Sequence, residues 1–286
     1  MGNWKVTAAI TTYKRSWTSV LRAIDSVLGQ SRPPEELLLI DDNDPDSSWS
    51  ADIRGHAAER PAVRYVAMGK NSGVSAARNR AISEAAGDLL AYLDDDDEWL
   101  PGKLETQLRL FDEHPGIGLA FGTGIVLYAD TGKQATNWQE RIFRENPSFQ
   151  DMLWTDYVGS ASVPLMRVSL LRELGGFRTE GQPAVEDYEL WIRLARVAPL
   201  WGVREPVFLK HEDSSEHVSG NLHRLFEGFR NIYRVNRADY SKNRHAEAGI
   251  LWNIARCGVR SLDARVIPWV FRWAAARLRE KAGDVG

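Results

Sequence analysis

Two short apolar runs in this chain end abruptly in aspartates, and few folds make use of that pattern. Leu37–Ile40 runs into Asp41, Asp42, Asn43 and Asp44, and Leu89–Leu93 runs into Asp94, Asp95, Asp96 and Asp97. Both runs have the length and continuity of strands buried on two faces, as in a parallel sheet covered by helices. In an open sheet of that kind, ligands collect in the crevice beyond the carboxyl ends of the strands. Both acidic groups are therefore expected to point into one crevice. Adjacent aspartates repel one another, and a divalent cation that favours hard oxygen ligands, Mn²⁺ or Mg²⁺, relieves that repulsion. Such a cation bridges nucleotide phosphates and stabilises a departing diphosphate. The plainer alternative is acidic residues at a helix entrance, where the helix dipole favours them. A second cluster at an equivalent strand end weighs against it.

The flanking sequence repeats the alternation. Val6–Thr11 and Val63–Met68 read as further strands. Trp17, Val20, Leu21, Ile24 and Leu28 share one helical face, and Val74, Ala77, Ala81, Ile82 and Ala85 keep the same period. Pro101 reads as a first-turn residue of a helix carrying Leu104, Leu108 and Phe111. Ile117–Tyr128, Val163–Val168 and Val203–Leu209 read as strands, Glu186–Arg196 as an amphipathic helix, and Asn221 onward as helix throughout. The prediction is an α/β chain with a mostly parallel, Rossmann-like sheet flanked by helices. Its catalytic domain spans 1–220, in halves of 1–100 and 101–220, and a helical C-terminal extension spans 221–286.

Composition narrows the partners. The 36 Lys and Arg against 39 Asp and Glu give a net charge of -3, which argues against a nucleic-acid binder. The single cysteine, Cys257, rules out an internal disulfide and a Cys-cluster metal site, and suits a reducing cytoplasm. Lys5, Lys14 and Arg15 interrupt any signal-like stretch near the start. No run approaches the roughly 20 apolar residues of a spanning helix.

Several short motifs follow one another in a specific order. They are Thr11-Thr12-Tyr13, Ser26-Val27-Leu28-Gly29-Gln30, Asp41-Asp42, Asn71-Ser72-Gly73, Ala77-Arg78-Asn79, Leu93–Asp97, Pro101 with Leu104, Gly175-Gly176-Phe177 and Glu186-Asp187. Over residues 5–215 the chain resembles the family-2 glycosyltransferases of the GT-A fold. That resemblance implies an inverting transfer of sugar from a nucleoside diphosphate donor to a hydroxyl group. It places Thr11, Tyr13 and Asp42 at the donor nucleoside, with Tyr13 stacking on the base. Asp42 would accept from a pyrimidine imide, which points to UDP and leaves dTDP open. Arg78 is assigned to the base or phosphates, with an ion pair inside the acidic crevice as an equal alternative.

Asp94-Asp95-Asp96 resembles the family's D-x-D motif. Asp94 and Asp95 would lie near the ribose and Asp96 would hold Mn²⁺ or Mg²⁺, while Asp97 orients the site or caps the next helix. Asp187 matches the general base that takes the acceptor's proton; helix N-terminal charge is its plainer reading. Trp191, four residues on, is core or acceptor platform. His217, with His211 as the alternative, matches a loop histidine touching metal or phosphate, but the spacing departs from the family pattern. The implied acceptor is a growing bacterial surface glycan or a lipid-linked oligosaccharide. The implied setting is cell-envelope polysaccharide biosynthesis in the cytoplasm, at the inner face of the inner membrane.

The last segment adds a further expectation. Val266, Trp269, Val270, Trp273, Ala274 and Leu278 share a helical face, with Arg260, Arg265, Arg272, Arg277, Arg279 and Lys281 around it. Over 261–281 this reads either as a helix lying on an anionic membrane or as one packing its Trp face on protein. Two other readings of the whole chain remain. A sugar nucleotidyltransferase would carry a Gly-rich loop after its first strand, where Thr11–Arg15 has no glycine; a silent nucleotide-sugar-binding scaffold is opposed by the intact D-x-D and Asp187. A calcium module is excluded, because Asp94–Asp97 lacks the alternating ligands and central Gly of an EF-hand.

Overall fold

The computed structural model describes residues 2–128, 130–136, 138–180, 184–212 and 222–283. The first half alternates β1 (Val6–Thr12), α1 (Trp17–Leu28), β2 (Glu36–Asp41), α2 (Ser48–Ala58), β3 (Arg64–Ala67), α3 (Val74–Glu84) and β4 (Leu89–Asp94). Then come β5 (Glu98–Trp99), α4 (Lys103–Glu113), β6 (Leu119–Tyr128), β7 (Gln134–Thr136), α5 (Trp138–Ile142) and α6 (Phe149–Trp154). The sheet is completed by β8 (Leu165–Arg167), α7 (Val168–Glu173), α8 (Glu186–Val197) and β9 (Leu200–Glu212). Four helices follow: α9 (Leu222–Val235), α10 (Arg237–Tyr240), α11 (Arg244–Arg260) and α12 (Ile267–Gly283).

The strands form one nine-stranded sheet in the order β3-β2-β1-β4-β8-β6-β9-β5, with β7 paired to β6. β3, β2, β1 and β4 are mutually parallel, β8 runs against both β4 and β6, and β6 and β9 are parallel again. This is the mostly parallel α/β architecture expected. The apolar runs of β1, β2 and β4 are almost wholly buried, which is why they read as continuous rather than alternating. The register places Thr11 of β1 opposite Ile40 of β2 and opposite Asp94 of β4. The acidic ends of β2 and β4 thus flank the end of β1.

Several elements differ from the sequence reading. The polar stretch before Asn146 contains β7 and α5, and β9 begins at Leu200 rather than Val203. Helix α2 has only Ser50, Ile53 and Ala57 buried, too narrow a stripe to be seen in the sequence. Pro101 is not in the first turn of α4: that helix starts at Lys103, and the Pro101 carbonyl instead accepts from Ser31 N–H at 2.8 Å. The boundary expected near Gly220 lies outside the described residues.

The C-terminal helices share the core of the sheet domain. Tyr240 donates its hydroxyl to the Leu153 carbonyl at 3.1 Å, and His245 stacks on Trp154 at 5.2 Å. The Trp face of α12 is turned onto protein. Trp269 is buried edge-on against Tyr233, and Trp273 lies 5.1 Å from Trp252. Trp269 and Trp273 pack on protein as the second reading of this segment has it, while Trp252, Val259, Leu262, Ile267 and Phe271 are exposed. No described helix is long and apolar enough to cross a membrane.

Gly249 of α11 is where the extension meets α6. A Cβ there would sit 2.6 Å from a ring carbon of Trp154 and 2.9 Å from its carbonyl oxygen. Gly249→Val should therefore destabilise the protein by about 1–3 kcal/mol, overpacking outweighing the small gain in helix propensity. A urea midpoint equal to or above wild type, at unchanged m, would contradict this packing.

Candidate active site

The end of β2 divides its two aspartates between different tasks. Asp41 is buried and accepts from Asn43 N–H (2.9 Å), Asn43 Nδ2 (2.7 Å), Ser50 Oγ (2.7 Å) and the Tyr65 hydroxyl (2.7 Å). With its oxygens saturated, Asp41 holds the β2–α2 turn and does not face the crevice. That corrects the expectation that the whole Asp41–Asp44 group points there. Asp42 accepts from the backbone N–H groups of Ser72 and Gly73, both at 2.8 Å, and so shapes the loop before α3. Gly73 sits at φ +87°, a conformation that strains other residues. Burial raises the pKa of Asp42 against the pull of those two N–H groups. Tyr13 stands exposed after β1, and Lys14 N–H donates to Asn43 Oδ1 at 2.8 Å, tying together the loops that follow β1 and β2. Thr11 lies half-buried in the last turnless residues of β1.

The four aspartates after β4 are graded in burial. Asp96 is 41% exposed, and the Arg15 guanidinium bridges it (2.7 Å) to buried Asp95 (2.9 Å). Burial pushes Asp95 up to about 6, opposed by the charge of Arg15. Arg22 Nη2 donates to the Asp96 carbonyl at 2.8 Å. Asp97 is buried and accepts from Ser162 Oγ at 2.9 Å, while that same oxygen accepts from Asp94 N–H at 3.1 Å. Of its two expected roles Asp97 takes the orienting one; the residue at the head of α4 is Gly102.

Arg78 of α3 is placed as a buried ion pair. Its Nη2 lies 2.8 Å from Asp94 and its Nη1 3.2 Å from Glu186, under the ring of Phe177. This is the alternative weighed equally against a contact to base or phosphate. Glu186 and Asp187 open α8, and Asp187 lines a cavity of about 1000 Å³ together with Asp156, Tyr188 and Lys210. Burial, reinforced by the charges of Glu186 and Asp156 and opposed by Arg78, pushes Asp187 up to about 8. Trp191 is fully buried and donates Nε1–H to the Gly159 carbonyl at 2.9 Å, so it is core.

Asp156 was missed by sequence reasoning. Its Oδ1 accepts from Val158 and Gly159 N–H, both at 2.9 Å, and burial pushes it up to about 6. The signal available was a lone carboxylate heading an uncharged stretch, 157–166. Arg15 was read only as a charge and proves to be the counter-ion of the aspartates. The histidines fare differently. His211 Nε2 sits 2.6 Å from Glu98 of β5, and alternation along β9 turns Lys210 and Glu212, not His211, into the cavity. His217 lies outside the described residues.

Comparison with known proteins decides the family. The sequence profile described as Glycosyl transferase family 2 matches residues 7–175, more than half of the chain. The chain belongs to this glycosyltransferase family. Among its curated relatives is TuaG of Bacillus subtilis (strain 168), a glycosyltransferase assigned provisionally to teichuronic acid biosynthesis. It is 28% identical over 197 residues, covering 68% of this chain and 75% of TuaG. The chain spans 20%, 75% and 61% of the lengths of the first three curated relatives it matches. Among solved structures, the mannosyltransferase PcManGT of Pyrobaculum calidifontis, in complex with GDP-Man and Mn²⁺, has a TM-score of 0.65 at 18% identity. The match covers 98% of this chain and 80% of that one. TarS 1-349 of S. aureus, in complex with UDP-GlcNAc, has a TM-score of 0.61 at 14% identity, covering 98% and 92%. These neighbours share the GT-A fold with the family-2 glycosyltransferase described here.

The buried Arg78 makes a stability test of the site's frame. Removing one partner of a buried ion pair leaves its carboxylates uncompensated, at a cost of about 3–5 kcal/mol. Arg78→Gln should lose that much in urea unfolding, and Asp94→Asn should recover part of the loss in the double variant. Additive losses in that cycle would mean the pair is not coupled.

Proposed function

We propose that the chain transfers a sugar, with inversion, from a UDP-linked donor to a hydroxyl of a glycan or lipid-linked oligosaccharide. The observation that carries this reading is Asp187: a carboxylate with raised proton affinity in the wall of a large cavity, next to Glu186, which Arg78 ties to Asp94. In the proposed reaction the acceptor hydroxyl gives its proton to Asp187 as its oxygen attacks the anomeric carbon. A C–O bond forms on one face while the bond to the diphosphate oxygen breaks on the other. Tyr13, Thr11 and Asp42 would receive the nucleoside, with Asp94 and Asp95 toward the ribose. The complexes of TarS with UDP-GlcNAc and of PcManGT with GDP-Man support a nucleotide-sugar donor. TuaG supports an acceptor in surface-glycan synthesis.

The aspartates fit a divalent cation in chemistry. They are hard oxygen donors, and Arg15 already supplies positive charge to Asp95 and Asp96. Asp96, the exposed member, would hold Mn²⁺ or Mg²⁺. Among the described residues these carboxylates do not bring three ligand oxygens within 4.8 Å of one another, so they would supply part of a coordination shell and the donor's phosphates the rest. Bound there, the cation would neutralise charge growing on the leaving diphosphate.

Four outcomes test the proposal. Asp187→Asn should keep UDP affinity near wild type while turnover falls by roughly two orders of magnitude or more, the scale of a lost general base. In the wild type, kcat/KM should rise with pH toward a plateau above about 8, because the base works only when deprotonated. Asp156→Asn removes a neighbouring negative charge, favours the ionised form of Asp187, and should move that limb to lower pH. A limb that stays in place would remove Asp156 from the environment of the base. Separately, Asp96→Ala should abolish the manganese dependence of UDP binding by calorimetry; unchanged Mn²⁺-dependent affinity would sink the metal assignment.

A further inference from the structure

A second cavity, of about 540 Å³, borders the first across the start of α8: Glu186 lines it, whereas Asp187 lines the larger one. Helix α9 divides in the same way. Leu225 and Phe229 face the larger cavity, and Arg224, Arg230 and Arg234 line the smaller. Arg178 completes a set of four arginines around two carboxylates, Glu186 and Glu227.

Both carboxylates are already committed. Glu186 is held by Arg78 at 3.2 Å, and Glu227 by Arg230 at 3.0 Å and Arg265 at 2.9 Å. Arg178 leans on Glu189 at 2.9 Å, which it shares with Arg193. Arg224 and Arg234 are exposed and have no ion pair among the described residues. The lining therefore holds a surplus of two positive charges, four arginines less two glutamates. The start of α3 opens onto the same space. Gly73, at its head, has no side chain to cap the first N–H groups of the 11-residue helix, and although Asp42 takes the Ser72 and Gly73 N–H groups just before it, the N–H groups of the first turn remain to add to the arginines. Guanidinium forks and a helix N-terminus together make a phosphate site.

We propose that this cavity binds a phosphate group of the acceptor, holding the sugar end of that molecule over Asp187. The inference rests on the glycosyltransferase reading of Asp187 given above. The cavity is lined by none of Thr11, Tyr13, Asp42 or Asp94–Asp96, although Ser72 and Gly73 of its rim donate to Asp42, so it borders the proposed donor cleft on one side and meets Asp187 through the adjoining Glu186 on the other. A phosphate presented this way belongs either to a polyol-phosphate polymer or to a prenyl-phosphate carrier.

Calorimetry on the full chain tests this. UDP with Mn²⁺ is titrated first; absence of binding would overturn the donor reading and this inference with it. Glycerol 3-phosphate and geranyl phosphate are then titrated into the UDP·Mn²⁺-saturated protein, wild type against Arg224→Ala/Arg234→Ala. The expected result is phosphate binding that weakens about tenfold or more in the variant, with UDP affinity and Tm unchanged. Tighter glycerol 3-phosphate would name a polyol phosphate as the source, and tighter geranyl phosphate a lipid carrier. Equal binding by both proteins, or none by wild type while UDP binds, would overturn the inference alone. A parallel loss of UDP affinity would return these arginines to the donor site and overturn the acceptor assignment.

Discussion

One buried guanidinium joins the two halves of this site. Arg78 comes from α3 and clamps Asp94 at the end of β4 to Glu186 at the start of α8. Among the described residues no other side chain is ion-paired with both the aspartate turn and the start of α8. Charges taken out of water persist only when paired, and Arg78 is paired with both. The separation between the proposed leaving group and the proposed base is thereby set by side chains with little freedom to move. The Tyr92 hydroxyl adds to this rigidity by donating to the Arg78 carbonyl at 2.8 Å.

The remaining charges are arranged so that repulsion is stored where a ligand can release it. Asp97 is buried behind Ser162, Asp95 is half neutralised by Arg15, and Asp96 faces outward. Burial raises Asp95 and Asp97, so the cost of ionising all four falls on the group. On the other side Asp187 bears the charges of Glu186 and Asp156, with Arg78 as the opposing one. A group that holds its proton tightly is a better proton acceptor once ionised, which is the property a general base near neutral pH requires.

What was legible in the sequence follows from what periodicity can carry. β1, β2 and β4 and helices α1 and α3 were visible because their burial is continuous or regularly spaced. Helix α2 and strand β7 were not, since one buries three residues and the other spans three. At the candidate site, motif order singled out Asp42, Arg78, Asp94–Asp97 and Asp187. It left hidden which partners those residues choose. Asp41 and Asp42 are adjacent and alike in sequence, yet one is saturated by Asn43, Ser50 and Tyr65 and the other organises the Ser72–Gly73 loop. Arg15 and Asp156 reach the site from 80 residues before Asp95 and 31 before Asp187, distances that no local pattern spans.

The family match ends at residue 175, and the residues that would recognise an acceptor lie mostly beyond it. Asp187, Lys210 and the two faces of α9 all belong to that later part. The profile thus covers the strand ends where β1, β2 and β4 meet, the side proposed for the donor. The side proposed for the acceptor is built from α8, β9 and α9, beyond the stretch the profile matches. Because α9 packs Leu222 and Phe226 into the core while its arginines line the smaller cavity, its position is fixed by apolar burial and its charges are left to select the ligand. On the proposed reading, a change in acceptor would require exchange of surface residues on α9 and no repacking of the fold.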